Sequence, residues 1–150
     1  MAKITLPGDF SEFLRLFNSH GVEYLLVGGH AVGIHGYVRA TNDLDVWVKA
    51  SVENAARIER ALREFGFDDP SLSPGLFTAR DNIVRMGVPP MRLEVHTSIS
   101  GVEFDACYAE REMFEIGAVM APVISLARLR ENKAAAGRAK DLADLENLPG

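Results

Sequence analysis

Apolar residues near the start of the chain recur at helical spacing. Phe10, Phe13, Leu14 and Phe17 stand at i, i+3, i+4 and i+7, which predicts a helix from Asp9 to His20 with one buried stripe. Asp9 followed by Glu12 resembles a capping box, and Gly21 supplies the stop. The run Tyr24-Leu25-Leu26-Val27 reads as a short buried strand, and His30 to His35 as a short helix closed by Gly36. Between strand and helix stands the pair Gly28-Gly29. A second strand, Asn42-Asp43-Leu44-Asp45-Val46-Trp47-Val48, turns Leu44, Val46 and Val48 to the core.

Ser51 can cap the next helix, whose stripe is Ala55, Ile58, Leu62 and Phe65; Glu59 with Arg63 and Arg60 with Glu64 make exposed pairs, and Gly66 ends it. Prolines and a Pro-Gly step make Asp68 to Gly75 a loop. Asn82 to Met86 reads as a strand. After Pro89-Pro90, the stretch from Met91 to Ile99 alternates, with Met91, Leu93, Val95 and Ile99 on one face and Arg92, Glu94, His96 and Ser98 on the other. Gly101 to Val123 carries the weakest pattern, a short helix with a hairpin or edge strand. From Ser125 the chain turns helical, breaks at Gly137 and resumes from Arg138 to Leu148, where Leu142, Leu145 and Leu148 mark the inner face. Strands alternating with helices give an α/β, or mixed α+β, class: a mixed sheet flanked by helices.

Composition narrows the field. A chain of 150 residues, 47% hydrophobic and 25% charged, has the size and balance of one globular domain spanning 1–150. No apolar run approaches the roughly 18 residues of a membrane span, and the stretch Met1 to Asp9 lacks the features of a secretory signal. A cytoplasmic location is expected. Cys107 stands alone, so neither a disulfide nor a zinc set is available to it, and it is expected to be buried filler. A formal charge of −5 argues against sequence-independent nucleic-acid binding through a basic surface, though not against a local contact.

Asp43 and Asp45 lie two apart on a strand and therefore point the same way, with Cα atoms roughly 6 to 7 Å apart. Two like charges that close repel unless a counter-charge relieves them, and a divalent cation held by both is the natural relief. Gly28 and Gly29 let the backbone approach a ligand closely, and a helix opening at His30 would offer free N–H groups to an anion. Glu94, on the polar face of its strand, is the candidate third oxygen ligand; the alternative is a solvated glutamate on an open sheet face. Lys133 follows Leu126 and Leu129 where a third apolar residue is due, so its ammonium either snorkels out or meets an anion. Arg138, Asp141 and Asp144 recur three apart, which ordinarily means a local ion-pair ladder. Arg39 and Thr41, just before the acid strand, can reach a phosphate or fix the loop. His30 can donate to a phosphate or pack locally, and His35 and His96 are weaker candidates still. The Gly-x-Ser-x-Gly elbow and the Rossmann glycine pattern are both absent.

In combination, Gly28-Gly29, thirteen intervening residues and Asp43-Leu44-Asp45, led by Arg39 and Thr41, resemble the signature of the DNA polymerase β-like nucleotidyltransferase superfamily. The run from Lys133 through Gly137-Arg138 to Asp141, Asp144 and Leu145 is similar to the carboxy-terminal helix pair of small bacterial members grouped with the AbiEii/AbiGii toxins of toxin–antitoxin systems. The resemblance implies two magnesium ions and transfer of a nucleoside monophosphate from an NTP to a hydroxyl of an RNA, protein or small-molecule acceptor, with release of pyrophosphate. It implies that Asp43, Asp45 and Glu94 hold the metals and that Gly28 and Gly29 line the triphosphate. The third carboxylate is usually aspartate, so glutamate departs from the pattern. The chain is also shorter than typical toxins of the group, which carry a further helical region for their acceptor, so a partner chain is expected; membership of a toxin–antitoxin pair would make that partner an antitoxin. Two rivals remain open: an antibiotic nucleotidyltransferase of the aminoglycoside type, and a catalytically degenerate nucleotide- or partner-binding module.

Overall fold

The computed structural model describes residues 8–41, 43–88 and 92–150, the side chain of Asp9 excepted. The Asp9 cap, Asn42, the Pro89-Pro90 step and Met91 lie outside the described residues. Six helices and six strands follow in the order α1 (Gly8–Ser19), β1 (Tyr24–Val27), α2 (Gly28–Ile34), β2 (Asp43–Val48), α3 (Val52–Phe65), β3 (Ile83–Met86), β4 (Arg92–His96), α4 (Phe104–Ala109), β5 (Glu112–Ile116), β6 (Val119–Val123), α5 (Leu126–Ala136) and α6 (Ala139–Asn147). The strands form one mixed sheet in the order β3-β4-β2-β1-β6-β5. β2 runs parallel to β4 and β1 parallel to β6, while the β1–β2, β3–β4 and β5–β6 pairs are antiparallel. This is the α/β class, with a mixed sheet flanked by helices. Among the described residues no helix is long and apolar enough to cross a membrane.

The core sits where the periodicity puts it. Phe10, Phe13, Leu14 and Phe17 of α1 are all buried. Phe13 meets Phe65 of α3 edge-on and Phe17 meets Tyr24 of β1 in the same way, so one aromatic chain ties two helices to the sheet. Burial of each such ring stabilises by roughly 1.5–3 kcal/mol. Ser51 caps α3 by accepting from the Asn54 N–H, and Gly66 ends it in the left-handed conformation. Asn54 is itself buried and ties three backbones together: it accepts from the Glu23 N–H and donates to the Glu23 and Lys49 carbonyls.

Leu44, Val46 and Val48 face the core, as the alternation requires. The opposite face of β2 carries Asp43, Asp45 and Trp47. Trp47 is covered edge-on by Phe104 of α4, so only the acid end of that face stays open.

Five local expectations need correction. α2 opens at Gly28 rather than His30, because the glycines can make the tight entry from the strand. The loop after α3 holds a short 3-10 turn, Pro74–Phe77, anchored by the buried ring of Phe77. β4 stops at His96, leaving Ile99 beyond the strand. Arg63 does pair with Glu59, but Glu64 sits beside His20. On α6, Leu142 is 50% exposed, and the inner face is formed by Asp141, Asp144 and Leu148.

Candidate active site

Strand register builds the site. Val27, Asp45, Glu94 and Arg85 are successive partners across β1, β2, β4 and β3, so the four side chains form one row on one face of the sheet. At the β1 end of the row the chain turns through Gly28, whose φ is +66°. A Cβ on Gly28 would lie 2.3 Å from Asp45 Oδ2, and one on Gly29 would lie 2.8 Å from Thr41 Oγ1. Both positions therefore require glycine: the turn folds directly against the carboxylate and the threonine. α2 spans only seven residues, so what the pair contributes is room and close approach rather than a strong helix field.

Asp45 and Glu94 converge with His96, two residues along β4. One donor atom from each lies within 4.8 Å of the others, and His96 Nε2 donates to Asp45 Oδ1 at 3.0 Å. Asp43 lines the same cleft but is tied to Arg92, with Nη2 3.2 Å from Oδ2. Glu94 is likewise met by Arg85 at 3.3 Å. The expected third carboxylate thus stands beside Asp45 rather than on an open sheet face.

The cleft above the row has a volume of about 640 Å³ and is closed on its far side by α5 and α6. Lys133 does not snorkel; it meets anions, but the chain's own carboxylates rather than a free phosphate: it is 5% exposed and lies 3.1 Å from both Asp141 and Asp144. Asp144 also receives Arg39 through two parallel bonds of 2.7 and 2.8 Å, and Asp141 receives Arg138 at 2.6 Å. The local ladder expected on α6 accounts only for the Arg138–Asp141 rung. The other bonds reach to α5 and to the loop before β2.

The electrostatics follow from these bonds. Burial alone would push both carboxyls up, but the bonds from Arg138 and Lys133 hold Asp141, and those from Arg39 and Lys133 hold Asp144, below the ordinary aspartate range. Arg39 is raised chiefly by its bond to Asp144, and Arg138 by its bond to Asp141 with further support from Asp45 and Glu94 across the cleft. Arg39 is thereby fixed beside the glycine turn, its Nη1 3.3 Å from where a Gly29 Cβ would stand.

Of the residues singled out in the sequence, Gly28, Gly29, Arg39, Thr41, Asp43, Asp45, Glu94 and Lys133 all line this one cleft. His30 does not. Its ring lies against Phe10, its Nε2 is buried without a partner, and burial lowers its pKa. His35 bonds the Ile124 carbonyl. Cys107 is buried, with its thiol pushed up by burial, as filler should be. His96 was undervalued: it shares parity with Glu94 on β4, a signal present in the alternation, but only the β2–β4 register brings it to Asp45.

The sequence matches no protein-family model and no curated protein. Solved structures with the same fold include a protein from Thermotoga maritima whose assignment as a nucleotidyltransferase is itself provisional. It is 16% identical with a TM-score of 0.62, over 91% of this chain and 88% of that one. Another is the lincosamide antibiotic adenylyltransferase LnuA, solved with lincomycin bound. It is 15% identical with a TM-score of 0.58, over 97% of both chains. At such identities the likeness is one of fold.

Proposed function

We propose that this chain is a magnesium-dependent nucleotidyltransferase. The observation that carries the reading is the meeting of the Gly28 turn with Asp45 and Glu94: a glycine turn pressed against one of two facing carboxylates on neighbouring parallel strands, at the edge of an open cleft. The fold shared with an antibiotic adenylyltransferase and with a provisionally assigned nucleotidyltransferase supports it.

The donor set fits a divalent cation. Two carboxylate oxygens and an imidazole nitrogen lie close enough to share one ion, and Asp43 lies at the edge of the same cleft for a second. Such ions, when bound, would neutralise charge on the attacking and leaving oxygens. The chain's own residues do the rest. Gly28 and Gly29 admit the triphosphate against the backbone, and Arg39, held rigid by Asp144, faces it. Lys133 acts at one remove, by fixing Asp144 and Asp141. Thr41 donates to the Asp43 carbonyl at 3.3 Å and so sets the entry to the acid strand. In the transfer, an acceptor hydroxyl oxygen attacks the α-phosphorus. Its P–O bond forms as the bond to the bridging oxygen breaks, and pyrophosphate leaves with that electron pair. The hydroxyl proton passes to Glu94, the carboxylate farther from the glycine turn.

Membership of a toxin–antitoxin pair, with an antitoxin chain as partner, rests on the resemblance of the α5–α6 segment alone. Incubation with each labelled NTP, magnesium, and pools of RNA, protein and hydroxylated small molecules should label one pool. Asp45→Asn should abolish that labelling while leaving the circular dichroism spectrum unchanged. Surviving transfer in Asp45→Asn would refute the metal assignment. Nucleotide binding without turnover, with turnover gained by Glu94→Asp, would instead identify a degenerate module.

A further inference from the structure

The row across the sheet has two ends, the glycine turn at β1 and an arginine at β3. Beyond Glu94, on the side away from Gly28, comes Arg85 of the edge strand β3. Beside it Arg92 reaches Asp43. Both arginines clasp carboxylates assigned to cations; Arg85 stays largely open to solvent, its side chain 58% exposed, whereas Arg92 is part-buried at 39%, with its Nε buried and without a partner. From these positions, and resting on the nucleotidyl-transfer reading, we infer that Arg85 and Arg92 form an anion subsite on the acceptor side, and that the hydroxyl acceptor carries a phosphate.

Charge points the same way, because these two arginines are what makes the cleft positive. The chain as a whole is acidic at −5, yet among the described residues six cationic side chains line the cleft against four carboxylates. Adding Asp144, which lies just behind and holds Arg39, still leaves the cleft positive. A nucleoside triphosphate carries about four negative charges at neutral pH and a two-cation site supplies about four positive ones, so the loaded nucleotide adds little net charge. The excess is left for the acceptor. A cationic acceptor of the aminoglycoside type would meet like charge at its entrance.

The two arginines also have somewhere to go. A cation entering between Asp45 and Glu94 competes with Arg85 for Glu94, and one at Asp43 competes with Arg92. An arginine displaced from its carboxylate presents a planar, bidentate donor pair at the mouth of the cleft, the geometry that suits a phosphate. Competition for Glu94 gives the idea an unusual signature, because Arg85 should oppose cation binding and favour acceptor binding at once.

The test uses the full chain and Arg85→Gln. On this exposed edge strand the substitution removes a single ion pair and should leave the fold intact, which thermal melting verifies. Manganese binding is followed by electron paramagnetic resonance, binding of a non-hydrolysable ATP analogue with magnesium by calorimetry, and acceptor binding with three probes: AMP, a labelled ten-nucleotide RNA and kanamycin. Arg85→Gln should weaken AMP or RNA binding by about tenfold and leave manganese binding as tight or tighter, while Arg85→Lys, which keeps the charge but not the planar donor pair, restores only part of the loss. AMP held as well as RNA would identify a small phosphorylated acceptor; RNA held much more tightly would identify a nucleic-acid end. Unchanged probe binding in Arg85→Gln, manganese binding that weakens in parallel, or kanamycin held more tightly than both phosphate probes would overturn the inference while leaving nucleotide binding intact. Failure of the wild-type chain to bind the ATP analogue at all would strike the underlying reading instead.

Discussion

Replacing Lys133 by methionine keeps the length and packing of the stem and removes only the ammonium. In the native chain that ammonium is almost fully buried and bonds two carboxylates at 3.1 Å each. Removing one partner of a buried ion pair costs about 3–5 kcal/mol, because the other charge is left without compensation. Here each carboxylate keeps one cation, Arg138 for Asp141 and the bidentate Arg39 for Asp144. We therefore expect about 2–4 kcal/mol, a large share of the roughly 5–15 kcal/mol that holds a domain together. In urea this is a fall in midpoint of about 1–2 M at an unchanged slope.

The pH dependence of Lys133→Met is the sharper part. In the native chain both aspartates sit below their ordinary range. Their contribution to stability is therefore present above the unfolded aspartate value and is lost as pH falls through the lower, folded values. Without the ammonium, burial acts against one arginine only, and both folded values rise. Protonation then relieves the variant at a pH where the native chain is still ionised. The penalty measured by urea titration should be largest near pH 7.5 and should shrink toward pH 4.5. A penalty below about 1 kcal/mol, or one that stays constant over this range, would refute the claim that Lys133 neutralises buried charge.

The same structure fixes three smaller outcomes. Gly28→Ala forces a side chain into the left-handed region and into the Asp45 carboxylate; a loss of about 1–3 kcal/mol by thermal melting should accompany weakened manganese binding, and unaltered manganese binding would contradict the close approach. Asn54→Ala strands the Glu23 N–H and the Lys49 carbonyl, while the Glu23 carbonyl keeps its bond from the Lys49 N–H, so chemical denaturation should register a loss of about 2–4 kcal/mol. His30, with a lowered pKa, favours its neutral form in the fold: it contributes stability above its ordinary value, and that contribution is lost as pH falls from about 6.5 through the folded value. The decline in melting temperature between pH 7.5 and 5.5 should be shallower in His30→Gln than in the native chain.

How much of this was legible depended on whether the signal was local. The stripe of Phe10, Phe13, Leu14 and Phe17, the Ser51 cap and the Gly66 stop are read within a few residues, and each stands where its spacing put it. The cleft was legible too, because alternation settles which face a strand residue occupies: Asp45 and Glu94 each had to lie on the polar face of its own strand. Alternation does not say which strands are neighbours. His96 is the example, since its parity with Glu94 is plain in the sequence but its bond to Asp45 exists only because β2 and β4 pair in parallel with Trp47 opposite His96.

Lys133 and the acids of α6 show the deeper limit. A charged residue at an apolar position in the helical period is a recognisable anomaly, and so is a last helix whose leucines fail to make a clean stripe: Leu142 is half exposed while Asp141 and Asp144 are buried. Either anomaly alone reads as a surface feature. Together they solve one another, because a buried lysine on one helix needs carboxylates and a buried acid pair on the next needs a cation. Arg39, standing 105 residues from its partner Asp144, completes the set. Nothing in the hydrophobic pattern could have supplied that pairing, because ion pairs have no period. What the pattern can supply is the mismatch itself, and in this chain a polar residue in an apolar register marked the wall of the cleft where charge is concentrated.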